Sequence, residues 1–207
     1  MGCDIHTRVE VYNNHGPVGK DEHRWVCADL FKLNPYFSGK TGEDEEKEYE
    51  TVEVFGGRNY TAFTQLAGVR DYTGDFEPIQ RGRGVPEDAC EKTKADYAYW
   101  DCDAHSAGFV TLAEVIEFRK NLKPTKFSGY IDQAGRDALE NGETPRSWCQ
   151  GTNVQGYTFA EWFDEVDPLS ELEEQLRLRL HETGMAWTAD NEVEQANNIR
   201  LVFWFDN

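Results

Sequence analysis

The chain has 207 residues, with 39 Asp and Glu against 21 Lys and Arg and a formal net charge of −18. That acid excess excludes broad gripping of DNA or RNA and adhesion to an anionic membrane, because both need clustered Lys and Arg. Aliphatic residues are scarce, but aromatics make up 13% of the chain, enough large side chains to build one compact domain over residues 1–207 instead of a disordered one.

Ile5, Thr7, Val9 and Val11 alternate with Asp4, His6, Arg8 and Glu10, the period-2 pattern of a half-buried strand. Asn13-Asn14-His15-Gly16 is turn chemistry, and a second strand around His23 to Ala28 should return beside the first. Residues 34–42 read as irregular, with Pro and Gly. Residues 40–53 hold seven acids and two lysines, and 40–56 reads as an acidic insertion. Asn59 to Val69 fits a short helix with Tyr60, Phe63, Leu66 and Ala67 on one face. Arg70 to Asp88 reads as a long loop, a feature that in compact domains usually serves a function.

Asp101 to Gly108 reads as turn-like. Thr111-Leu112-Ala113-Glu114 matches a capping box, opening a helix that carries Leu112, Val115, Ile116 and Phe118 inward and ends before Pro124. A helix is expected over Ile131 to Leu139, stopped by Asn141-Gly142, and a short one over Phe159 to Val166. Ser170 to Thr183 is the clearest helix: Ser170 as cap, Leu172, Leu176 and Leu180 as the apolar stripe, Gly184 just past the end. Asn198 to Phe205 is apolar from Ile199 on, bar Arg200, so it should be a strand buried on both faces and paired with the N-terminal one. The expected fold is α+β: a mainly antiparallel sheet with the N- and C-terminal strands paired centrally, flanked by several short helices.

The charge is uneven. Residues 161–182 carry eight acids and two arginines, whereas residues 58–83 carry four arginines and three acids. A local anion site is therefore compatible with a negative molecule. The five cysteines form no C-x-x-C, and no signal peptide or membrane span is read. Reduced thiols in a cytoplasmic protein are the expectation.

Two tetrapeptides share the pattern C-D-x-H: Cys3-Asp4-Ile5-His6 and Cys102-Asp103-Ala104-His105. In an extended chain Asp4 and His6 share a face, as do Asp103 and His105. A carboxylate beside an imidazole sets its tautomer and raises its basicity. Three readings follow. His6 and His105 act as a base and acid pair supported by Asp4 and Asp103; or Asp4, His6, Asp103 and His105 hold a divalent metal; or Cys3, His6, Cys102 and His105 hold zinc. The plain alternative is that these are ordinary strand and loop residues. Arg58, Arg70, Arg81 and Arg83 suit phosphate, with Gly82 and Gly84 permitting close approach, unless they pair with surface acids. Trp and Tyr belong mainly to the core, with Tyr97, Tyr99 and Trp100 a candidate stacking platform.

Gly2 to His6, Gly57-Arg58-Asn59-Tyr60, Leu66 to Arg70, Arg83 to Pro86, Asp103 to Ser106, Thr111 to Glu114 and the closing Arg200 to Asn207 together resemble a family of small phage, prophage and bacterial proteins that open with G-C-D-I-H. Cys102 stands outside that pattern, and residues 43–53 and 125–167 look particular to this lineage. The resemblance brings no established activity. It implies a shared polar set of Cys3, Asp4, His6, Arg58, Asn59, Asp103, His105, Ser106 and Asp206, with Asp206 ending a strand beside Asp4 and His6, and a setting in host-cell cytoplasm.

Together these readings point to a protein that binds a small phosphorylated ligand, such as a cyclic-nucleotide immune signal. His6, His105, Asp4 and Asp103 would be catalytic if it is hydrolysed as a phosphodiester. Cys3, Arg58, Asn59, Arg81, Arg83, Ser106 and Asp206 would bind the ligand, and a homo-oligomer is left open. The rival reading is an acidic decoy that binds a basic host protein.

Overall fold

A computed structural model of the chain describes residues 2–13, 25–39, 48–71, 76–151, 155–184 and 191–206. In chain order the elements are β1 (Asp4–Tyr12), β2 (Trp25–Cys27), β3 (Leu30–Leu33), β4 (Tyr49–Val52), α1 (Tyr60–Ala67), α2 (Glu91–Trp100), β5 (His105–Thr111), α3 (Leu112–Lys120), β6 (Thr125–Ile131), α4 (Gln133–Glu140), β7 (Thr158–Asp164), α5 (Ser170–Glu182), α6 (Glu192–Asn197) and β8 (Ile199–Asp206). They fall into two compact units, residues 1–120 with 168–207, and residues 121–167.

The first unit is built on an antiparallel sheet of order β2-β1-β8-β5. As the sequence indicates, β1 and β8 pair centrally, from Asp4 opposite Asp206 to Val11 opposite Ile199. Directly opposed residues share a face. One face carries Ile5, Val9, Val11, Leu201, Phe203 and Phe205 into a core with Phe63 and Leu66 of α1, Leu112 and Val115 of α3, and Leu172 and Leu176 of α5. The other face carries Asp4, His6, Arg8, Glu10, Trp204 and Arg200 toward α2, whose Asp96 meets Arg8, Tyr97 meets Trp204 and Trp100 meets His6. Covering on both faces explains why β8 is apolar almost throughout.

Local signals account for most boundaries. Asn59 caps α1 by accepting the Ala62 N–H at 3.2 Å, and Gly68 closes it in the left-handed region at φ 70, a conformation that costs glycine nothing. The capping box forms as the sequence indicates: Glu114 accepts the Thr111 N–H at 2.9 Å, and Thr111 Oγ1 accepts the Glu114 N–H at 3.2 Å.

Several elements differ from the sequence reading. Residues 158–164 form a strand, not a helix, because they pair along their whole length with β6. The stretch around 101–108 is turn-like only to Asp103; from His105 the chain is β5, with a bulge before Gly108. Leu169, not Ser170, occupies the cap position of α5. Within the segment read as an acidic insertion, 40–56, Tyr49–Val52 is β4, paired with β3, and Val54 and Phe55 are core residues. The turn at residues 14–16 and the acids at 43–47 lie outside the described residues.

The second unit pairs β6 with β7 and adds α4, capped by Asp132, which accepts the Gly135 N–H at 2.8 Å. Its interior is aromatic, with Trp162 against Phe127 and Trp148.

Candidate functional site

The start of β1 and the end of β8 bring Asp4, His6 and Asp206 together, as the sequence indicates. Asp206 Oδ1 accepts the Asp4 N–H at 3.0 Å, and its Oδ2 lies 3.3 Å from His6 Nε2. That distance is an ion-pair separation, yet the angle is off the hydrogen-bond direction, since Nε2 makes no hydrogen bond among the described residues. The imidazole packs against Trp100 at 4.0 Å between centroids and against Trp204 at 5.9 Å. Arg58 grips Asp4 with both prongs of its fork, Nε to Oδ1 at 2.8 Å and Nη2 to Oδ2 at 2.9 Å. That clamp holds the Asp4 carboxyl below its ordinary range and raises the Arg58 guanidinium further.

His105 does not join His6. It opposes Phe205, stacks on that ring at 5.9 Å, and so lies on the core face of the sheet, whereas His6 opposes Trp204 on the other face. Its partners are Cys3, whose Sγ is 3.9 Å from Nε2, and Ser106, whose Oγ is 3.0 Å from Nδ1. Burial pushes the Cys3 thiol up, against the charge and hydrogen bond of Arg70. Ser106 and Arg70 both adopt the left-handed region, at φ 49 and 61, conformations that cost non-glycine residues energy. Asp103 and Cys102 are exposed on the turn before β5. The C-D-x-H repeat thus splits across the sheet. The four-ligand zinc set does not assemble, and among the described residues no three His, Cys, Asp or Glu converge as metal ligands.

The loop arginines serve the loop. Arg81 donates to the Phe76 carbonyl at 2.6 Å. Arg83 donates to the Phe109 carbonyl at 3.1 Å and pairs with Glu114 at 2.7 Å, near the far end of β5 from His105. Asn59 is spent as a helix cap.

A feature that sequence reasoning missed is a cleft of about 720 Å³ between β3, β4 and α2, on the His6 face. That volume lies within the range of small-molecule sites. Its polar floor is Arg8 and Lys92, both tied to Asp96 Oδ2 at 2.6 and 2.8 Å. Burial works against the Asp96 charge, but the bonds from Lys92 and Arg8 outweigh it and hold the carboxyl below its ordinary range. Phe31 and Tyr49 line the cleft and remain largely exposed; the Lys92 ammonium lies 5.3 Å from the Phe31 ring. Glu53, also lining it, is pushed up by burial, with His6 and Arg8 opposing through their charges. Arg8 is two residues from His6 on one strand face, a spacing of roughly 7 Å. Neither short strand nor α2 announces itself: Glu91 to Trp100 has no apolar stripe. The exposed Phe31 and Tyr49 beside Lys32 and Lys92 were the available signal.

No protein-family model, curated protein or solved structure matches the chain, so the site rests on its own geometry. Among the described residues no helix is long and apolar enough to cross a membrane.

Proposed function

We propose that the protein binds a small phosphorylated ligand of the nucleotide class in the cleft between β3, β4 and α2. The observation that carries this reading is the pairing of Arg8 and Lys92, bridged by Asp96, with two half-exposed aromatic walls, Phe31 and Tyr49, in a lining where Arg8, Lys32 and Lys92 balance Glu50, Glu53 and Asp96. Arginine and lysine suit the phosphate, and aromatic faces suit a base. The phage-type resemblance of the motifs makes a cyclic-nucleotide immune signal the first candidate.

Among the described residues, His6 is the histidine on this face of the sheet, two residues from Arg8. Asp206 Oδ2 stands 3.3 Å from its Nε2. Base and acid catalysis by His6 and His105 together is not supported, since the sheet separates them. The test is calorimetric titration with a panel of linear and cyclic nucleotides, followed by product analysis. Tyr49→Ala should weaken binding by about 1–3 kcal/mol, the worth of one stacked base. His6→Ala should abolish any turnover while leaving binding within about threefold. Binding without turnover in the wild type identifies a sequestering protein, and no binding across the panel refutes the proposal.

The decoy reading gains little from the acids of α5. Glu173 is held by Arg119 and Arg177, and Glu182 by Arg179, so part of that charge is neutralised within the molecule.

A further inference from the structure

Cys27 and Cys90 are far apart in sequence and meet at one carboxylate. Cys27 of β2 opposes Glu10 of β1, and Glu10 Oε1 accepts the backbone N–H of Cys90 at 2.8 Å. Directly opposed strand residues have Cβ atoms about 5 Å apart, so both cysteines stand within one side-chain length of Glu10. Both residues thus border the Glu10 side chain, and each thiol acts on the proton affinity of the other, raising Cys27 and lowering Cys90.

The two differ in character. Cys90 is the residue at the N-cap of α2, where the helix dipole favours a thiolate, and its Sγ lies 3.3 Å from Thr93 Oγ1. The neighbouring Cys27 thiol, together with Thr93, lowers the Cys90 thiol to about 7, although burial opposes this. Cys27 keeps its proton, has Asp29 Oδ2 as a further acceptor at 3.5 Å, and is only partly buried. This is the division of labour between an attacking and a resolving thiol. It has no part in the nucleotide reading.

We propose that Cys27 and Cys90 are a reversible dithiol–disulfide couple, oxidised by hydrogen peroxide, that fastens β2 to the start of α2. Peroxide is small enough for the mostly buried Cys90. The Cys90 thiolate attacks one peroxide oxygen, the O–O bond breaks, and the departing hydroxide takes a proton to leave as water. The Cys27 sulfur then attacks the resulting sulfenic acid. The S–O bond breaks, the S–S bond forms, and the Cys27 proton leaves with the oxygen as a second water. Two thiols are oxidised and one peroxide is reduced.

The experiment treats the purified full chain with hydrogen peroxide, alkylates the remaining thiols and maps the peptides by mass. The expected result is loss of two of the five thiols, a linked Cys27–Cys90 peptide, and recovery of both with dithiothreitol. In Cys27→Ser the reaction should stop at a Cys90 sulfenic acid that dimedone traps. Oxidation confined to Cys102, the exposed cysteine, or to Cys3 or Cys149, with Cys27 and Cys90 still reduced, overturns the proposal. So does a Cys90 sulfinic acid in the wild type without the cross-link.

Discussion

Asp96 holds both cations of the cleft floor, so replacing it with Asn tests what that floor is for. Arg8 Nε and Lys92 Nζ lie 2.6 and 2.8 Å from the same Asp96 oxygen. A phosphate contacting both cations from the open side would sit about 6 Å from the Asp96 carboxylate, where two unit charges repel by roughly 3 kcal/mol at an effective dielectric constant of about 20. Water in an open cleft reduces that to about 1–2 kcal/mol, so Asp96→Asn should tighten nucleotide binding roughly five- to thirtyfold. The same change removes two charge-assisted bonds, and stability should fall by about 1.5–3 kcal/mol. Calorimetric titration gives the first quantity and urea unfolding the second. Loss of stability together with unchanged or weaker nucleotide affinity would refute the argument, because it would mean that Arg8 and Lys92 serve α2 alone.

Two further outcomes concern the scaffold. Glu10 is fully buried and pairs with Arg200, itself buried, at 2.8 Å. Glu10→Ala should destabilise by about 3–5 kcal/mol in chemical unfolding, since it strands a buried guanidinium, with Asp88 and the Trp25 ring holding the value toward the lower end. Acid titration should unfold the protein in a defined direction. Asp96, Glu114 and Glu173 are held below their ordinary values in the folded state, so their stabilisation is complete above their unfolded values, about 4, and is lost as pH falls through the folded ones. Circular dichroism against pH should show stability declining below about pH 4, and a protein whose stability rises there would contradict these assignments.

The parts of this fold that were legible in the sequence carry their own local signals. The alternation of β1, the apolar run of β8, the capping box at Thr111 and Glu114, and the Leu172, Leu176, Leu180 stripe of α5 each encode an element within a few residues. What escaped depends on distant partners. β7 becomes a strand because β6 lies alongside it, and β4 emerges from an acidic stretch because β3 does. Half of the candidate site was legible in the same way. Period-2 spacing puts Asp4 and His6 on one face, and a closing strand puts Asp206 beside them. It could not show that a bulged β5 presents His105 to the opposite face, nor that Arg81 and Arg83 are engaged by carbonyls and Glu114. Arg8, which read as one more polar residue of an alternating strand, became the floor of the cleft only when α2 supplied Lys92 and Asp96.

The central claim is that a nucleotide-class ligand occupies the cleft on the His6 face. Backbone amide shifts of the isotopically labelled protein, followed during titration with the tightest-binding nucleotide, test it directly. The account predicts saturable shifts at Phe31, Lys32, Tyr49 and Lys92, extending along β1 through Arg8 to His6. Shifts confined to the Arg81 and Arg83 loop, to the Cys3 and His105 side of the sheet, or to residues 121–167 would contradict it.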